Sequence, residues 1–285
     1  TVVFTGCLSK LYFFLESNPI VGAVSPRTWL DLSKSLEVCS LKLLTPDRAN
    51  AVFTSLPNFN RKGVLHKVWD IDSQLWNAVS PVEVEGIGGA AFFIARDLLI
   101  KNNGLDERFF MGYEDTDLSK FVSDQGKKLV IHPYAEIVHL FGQAKKLPEA
   151  PDKAVYSWQQ APLQYLEKYH GLSASASLKR LRSVDRLWRR CIFKRPYGSI
   201  VQPDSSGLHL QWITKAGENE SHVLEVSNEP TFYDKFGKLV HGSEYKLNSD
   251  LLNRLEIGTW YWRVWNSETG NSRKLTAKGQ WTLEN

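Results

Sequence analysis

The segment from Gly86 to His139, GIGGAAFFIARDLLIKNNGLDERFFMGYEDTDLSKFVSDQGKKLVIHPYAEIVH, sets the tightest limit on the fold. Short apolar runs (Val82 to Val84, Ala91 to Ile94, Leu129 to Ile131, Ile137 to Val138) alternate with helical patterns that stop on Gly104 and Gly126. A glycine closing a helix supplies the left-handed residue that other side chains avoid. Strands alternating with helices call for an α/β layer architecture. The segment also carries chemistry. Glu114, Asp115 and Asp117 put three acids into four positions, the turn Gly88, Gly89, Ala90 precedes them, and His139 follows an apolar run. A base, a candidate metal ligand and a place of close backbone approach thus fall in one supersecondary unit.

The flanking chain reads less sharply. Thr5 is placed to cap a helix whose apolar residues Leu8, Leu11, Tyr12 and Leu15 recur at helical spacing, ended by Asn18-Pro19. Val21 to Val24 reads as a buried strand stopped at Ser25-Pro26, and residues 27–80 read as irregular. Helical pattern resumes before Tyr169-His170-Gly171. Between Lys179 and Arg195 eight basic residues face one acid, Asp185, a local charge of +7 in a chain whose net charge is +4. Three widely spaced cysteines (Cys7, Cys39, Cys191) have no metal-type spacing and suit a reducing compartment. No run approaches the roughly 20 apolar residues that span a bilayer.

From about Asp204 the pattern turns to β. Leu208, Leu210 and Trp212 alternate, and Val223 to Val226, Tyr245 to Leu247 and Thr259 to Trp265 follow, separated by turn residues. This spacing predicts an all-β, immunoglobulin-like sandwich over 204–285. Five of the ten tryptophans lie there, at 212, 260, 262, 265 and 281. Trp260 and Trp262 share one strand face and Tyr261 and Trp265 the other, so one set can fill a core and the other cover a neighbour or stack on sugars.

The order and spacing of Gly89-Ala90, Arg96, Gly104-Leu105-Asp106-Glu107-Arg108-Phe109-Phe110, Tyr113 to Leu118, Gly126, Pro133, Ala135 and His139 resemble the acceptor half of family 2 glycosyltransferases of the GT-A fold, the rhamnosyltransferase-like branch in particular. Leu105 departs from that family's usual phenylalanine, a conservative packing change. Leu11 to Pro26 is similar to the helix and strand after the family's metal-binding Asp-x-Asp, and Tyr165 to Gly171 to its closing helix, so the likeness covers about residues 1–171. It implies a partial GT-A domain with a Rossmann-like mixed sheet at 1–171. A basic helical linker at 172–203 and the β module, whose Gly258 to Trp265 resembles a fibronectin type III-like strand, would follow. The only methionine is Met111, so the chain is expected to be a fragment or a processed product without the nucleotide-binding strands. Asp70-Ile71-Asp72 lies on the wrong side of the first helix and strand to replace the missing Asp-x-Asp and reads as an exposed turn.

The resemblance implies Asp115 as catalytic base, taking the acceptor hydroxyl's proton in an inverting transfer. It implies a divalent cation, Mn2+ or Mg2+, on the diphosphate leaving group, with His139 as a ligand. The competing reading of Asp115 is a helix N-cap, which accounts for one acid of three; that of His139 is a satisfied core histidine. Gly88, Gly89, Ala90, Glu114 and Asp117 are the candidate substrate contacts. Implied partners are a nucleotide-sugar donor and a glycan or lipid-linked acceptor, with low turnover or none by the chain alone. Residues 178–195 pack on the catalytic domain or touch anionic membrane headgroups; nucleic acid is not expected. The implied location is the cytoplasm or the cytoplasmic membrane face. Two rivals stand beside this reading: a non-catalytic carbohydrate-binding or scaffolding protein, and a metal-dependent hydrolase built on Glu114, Asp115, Asp117 and His139.

Overall fold

A computed structural model describes residues 1–53, 71–140, 152–191, 198–213, 220–228, 232, 235–266 and 274–283, with backbone only at 152–158 and 185–191. It is a mixed α/β structure on an eleven-stranded sheet. The N-terminal strands are β1 (Val2–Val3), β2 (Val21–Trp29), β3 (Glu37–Val38), β4 (Val82–Val84), β5 (Phe93–Ile94) and β6 (Lys128–Val138). β6 runs parallel to β2 and antiparallel to β1 and β4. Helix α1 (Cys7–Glu16) covers one face, where Cys7 and Leu11 pack on Val24, Val130 and Ile137. On the other face α4 (Arg96–Lys101) and α5 (Glu114–Asp124) bring Leu98 and Val122 onto Ala23, Leu129 and Ile131. Covering both faces is what near-continuous apolar strands demand.

Several boundaries differ from the sequence expectation, each for a local reason. Helix α1 begins after Gly6 at φ 75°, with no side-chain cap, so Thr5 does not cap it. Strand β2 runs through Ser25-Pro26, and the two strands expected around Pro133 are one, β6. The ladder partner of β2 jumps from His132, opposite Pro26, to Glu136, opposite Arg27. Residues 133–135 therefore bulge, which is where a proline's missing N–H costs least. The stretch 27–80 is not irregular throughout: it holds the end of β2, β3, α2 (Pro46–Phe53) and a helical turn, α3, at residues 71–76. Asp70 lies outside the described residues, and Asp72, expected at an exposed turn, has no solvent exposure.

The closing helix and the basic helix form one element, α6 (Asp152–Cys191), kinked at Gly171, where φ is 82° and ψ 168°. Leu178 and the tyrosine ring of Tyr165 are buried on it against Leu44 and Ala49 near α2. Arg182 lies with its guanidinium carbon 4.6 Å from the Phe53 ring centre and packs on the protein, while Lys179 and Arg180 are exposed.

The C-terminal strands do not make a separate sandwich. They are β7 (Ser199–Ile200), β8 (Gly207–Gln211), β9 (Ser221–Ser227), β10 (Phe236–His241), β11 (Glu244–Asn248), β12 (Gly258–Asn266) and β13 (Leu275–Leu283), with a one-turn helix α7 (Ser249–Leu252). β10 pairs with β3, so β10, β9, β12, β13 and β7 extend the N-terminal sheet, while β8 and β11 form a two-stranded layer. Trp212, Trp260, Trp262 and Trp281 fill the space between. Trp265, on the opposite face of β12 from Trp260 and Trp262, enters the N-terminal core beside Leu75 and Trp76. At that junction Gly237 has no room for a side chain: a Cβ would lie 2.4 Å from the Trp76 ring.

Buried charges complete the junction. The Asp72 carboxylate sits 2.8 Å from Lys42 Nζ and 2.6 Å from Lys235 Nζ, and Ser40 Oγ donates to it at 3.2 Å. Glu225 takes the Arg263 guanidinium and the Trp265 indole N–H, the latter at 2.9 Å. Lys42 and Asp72 come from the N-terminal half, Lys235, Glu225 and Arg263 from the C-terminal half. A sandwich cut free of the rest would take Lys235 from Asp72 and leave Lys42 as that carboxylate's one lysine. Among the described residues no helix is long and apolar enough to cross a membrane.

Candidate functional site

A cleft of about 320 Å³ opens where β2, β3, the Gly88 turn and the start of α5 meet. Gly88, Gly89, Ala90, Glu114, Asp115 and His139 all line it. Of the residues singled out from sequence, only Asp117 does not.

Asp115 is held by the chain's own geometry. Helix α5 starts at Glu114, with Tyr113 at the N-cap in the left-handed region (φ 72°), so Asp115 occupies the first turn rather than the cap. Its Oδ1 accepts from Thr116 N at 2.7 Å and its Oδ2 from Gly89 N at 2.8 Å, joining the glycine turn to the helix. Thr116 Oγ1 also donates to Oδ1 at 3.4 Å, and since each carboxylate oxygen can accept twice, it is Oδ2 that keeps a lone pair for a ligand. A Cβ at residue 89 would lie 3.4 Å from Oδ2, an ordinary contact, so the space there does not demand glycine. Gly88 faces open space, and nothing near it demands glycine. Burial raises the Asp115 carboxyl above its ordinary value, against the pull of the bonds from Gly89 and Thr116. A desolvated carboxylate of this kind is the stronger base.

Glu114 is also raised, by burial first and by the Asp115 charge, and its Oε2 is buried without a hydrogen-bond partner among the described residues. Asp117 has left the cleft: its Oδ1 accepts from Lys168 Nζ at 2.6 Å and from Tyr169 Oη at 2.7 Å, both on α6. That is a structural role, tying α5 to α6. The four groups of the hydrolase alternative therefore do not converge.

His139 stands just past β6, its N–H donating to Trp29 O at 2.9 Å and its Nδ1 2.9 Å from Thr1 Oγ1. Burial, with the Thr1 ammonium nearby, pulls its pKa below the usual imidazole value. The neutral ring this favours could ligate a metal. Among the described residues, however, no three His, Cys, Asp or Glu side chains come together as a cation site.

Two further cleft residues went unrecognised in the sequence, Glu37 and Cys39. They sit two apart across β3, on one face of a strand too short to show a period. The signal available was Glu37 itself, a charge inside the apolar run Leu36 to Cys39. Its carboxylate Oε2 lies 3.2 Å from Arg27 Nε. Trp265, the aromatic that could have stacked on sugars, is 7% exposed and gives its indole N–H to Glu225. No family model matches this sequence, and no curated protein matches it.

Proposed function

We propose that the chain carries the acceptor-side chemistry of an inverting, GT-A-type glycosyltransferase, with Asp115 as the base. The observation that carries this reading is the convergence of Asp115, Glu114, the Gly88 to Ala90 turn and His139 on one cleft. The reaction needs a fixed carboxylate beside a space the size of a sugar. Asp115 is fixed by two backbone N–H groups, desolvated enough to be a better base, and left with a lone pair on Oδ2 for an incoming hydroxyl. Such a base contributes on the order of 10² to 10⁴ in rate.

The donor in this reading is a nucleotide-sugar and the acceptor a glycan or lipid-linked sugar. A divalent cation would supply charge neutralisation at the diphosphate leaving group. The described residues do not complete a site for it, so the part assigned to this chain runs through Asp115 and the acceptor. A fibronectin type III-like role for the C-terminal strands is proposed only as support for the cleft, since β10 holds β3 in place.

The test is release of nucleoside diphosphate from a panel of nucleotide-sugars offered with glycan acceptors, with and without manganese. Turnover by the 285-residue chain is expected to be weak, and Asp115→Asn should lower it at least about a hundredfold while the chain stays folded. Turnover untouched by Asp115→Asn would remove the base assignment. Silence with every donor, joined to no response of the Asp115 carboxyl to any glycoside, would remove the reading altogether.

A further inference from the structure

Glu37 is the cleft residue whose environment is least explained by folding. It is 2% exposed, yet its Oε1 has no hydrogen-bond partner among the described residues. Its neighbour Arg27 is held mainly from elsewhere: Arg27 Nη2 donates to the carbonyls of Leu75 at 3.2 Å and Ala78 at 2.9 Å, and only its Nε faces Glu37, at Oε2 3.2 Å away. Buried carboxyl oxygens are almost always hydrogen-bonded, and one left bare calls for an explanation. Here the bare atom belongs to a side chain on the wall of the cleft that Asp115 lines.

We propose that Glu37 contacts the ligand of this cleft, its Oε1 hydrogen-bonding a hydroxyl of the sugar whose reacting hydroxyl meets Asp115. The assignment rests on the transferase reading above and adds the residue that orients the acceptor. A hydroxyl suits the position because it can both give and accept. Burial, outweighing Arg27, pushes the Glu37 carboxyl up to about 8, so near neutral pH it holds a proton to donate. The other charges facing it are the carboxylates of Asp72 and Glu136, which act in the same direction. Glu114, Asp115 and His139 line the same space. A site that hydrogen-bonds a substrate hydroxyl discriminates strongly against the deoxy analogue, because the buried partner is then left bare. Glu37 is therefore a specificity-determining residue.

The experiment uses the full 285-residue chain with carboxyl-labelled Glu and Asp, watched by carbon NMR. Glu37→Gln and Asp115→Asn identify the two resonances. The probes are methyl glycosides of common hexoses, their deoxy analogues, and nucleoside diphosphates. At least one glycoside is expected to move both resonances, and one of its deoxy analogues to lose the Glu37 response while keeping that of Asp115. Glu37→Leu should weaken that glycoside about tenfold, whereas Glu37→Gln, which keeps a donor, should hold most of the affinity. Glycosides that move Asp115 and leave Glu37 still would overturn this inference and leave the transferase reading standing. Silence of both resonances with every glycoside would take both down. A Glu37 response to nucleoside diphosphates alone would also overturn it, by making the contact one to phosphate. A loss of melting temperature in Glu37→Leu with unchanged glycoside affinity would show Glu37 to be structural.

Discussion

Asp72 and Glu37 are both buried acids near the same sheet junction, and they are treated in opposite ways. Asp72 lies between two lysine ammonium groups at 2.8 and 2.6 Å, with a serine hydroxyl beside it. Burial works against the charge of Lys42, but Asp72, helped by Cys39, more than restores it and holds Lys42 above the usual lysine range. Glu37 has one cation, Arg27, on one oxygen and, among the described residues, nothing on the other. The same cost of desolvation is offset at Asp72 and left standing at Glu37. A buried acid with a cation beside each oxygen fastens elements together. An incompletely compensated one on a cleft wall is available to a ligand.

The comparison breaks most visibly at Asp72. Asp72→Ala strands Lys42 and Lys235 in the interior and is expected to cost about 3 to 5 kcal/mol, measured by urea unfolding. Replacing all three charges together (Asp72→Leu, Lys42→Met, Lys235→Met) should return much of that loss, since well-packed apolar groups often equal a buried ionic cluster. A single Asp72→Ala within 1 kcal/mol of the parent protein (a margin of order RT) would mean that the lysines find water, and the cluster would lose its role as fastener.

A middling effect is expected at Glu37, and it depends on pH. Burial pushes the folded carboxyl up to about 8 from its ordinary 4.5. Between those values the folded protein keeps a proton that the unfolded chain has released. Stability should therefore fall as pH rises through that window, on the order of 1 kcal/mol per pH unit, and level off above it. Below the window both states are protonated and the contribution is fully present. Glu37→Gln should remove this slope while leaving others, such as that from His139, in place. Parallel stability curves for the two proteins would show that the Glu37 carboxyl is solvated after all, and the contrast with Asp72 would vanish.

How much of this was legible in the sequence follows the same division. The alternation of β and α elements around Asp115 and the stops at Gly104 and Gly126, both left-handed at φ 81° and 71°, were readable because they are local. Most of the cleft was readable for the same reason: the glycine turn, Glu114, Asp115 and His139 come from one stretch of chain. Glu37 and Asp72 were not. Their meaning depends on Arg27, Lys42 and Lys235, which lie 10 to 163 positions from the acids they face, and Lys235 arrives only beside the β3–β10 pairing. Charge patterning cannot show such pairs, and a two-residue strand has no period to read. The sandwich expectation failed alike. Alternating strands do not say which edge they will join, and β10 joined β3.

The smallest effect belongs to Asp124, at the far end of the helix that begins with Asp115. Asp124 pairs with Lys120 one turn earlier at 2.6 Å, and its side chain is 49% exposed. Water already solvates both groups there, and holding two long side chains in one geometry consumes most of the Coulomb gain. The order also runs lysine before acid along the helix, the weaker orientation. Asp124→Ala should change stability by no more than about 0.5 kcal/mol, and what change there is should fade at high salt. A larger, salt-insensitive loss on urea unfolding would mean that α5 is held by its exposed charges rather than by Leu118 and Val122 in the core and Asp117 against Lys168 and Tyr169. Burial and compensation, the two variables that separate Asp72 from Glu37, would then no longer rank the acids of this protein.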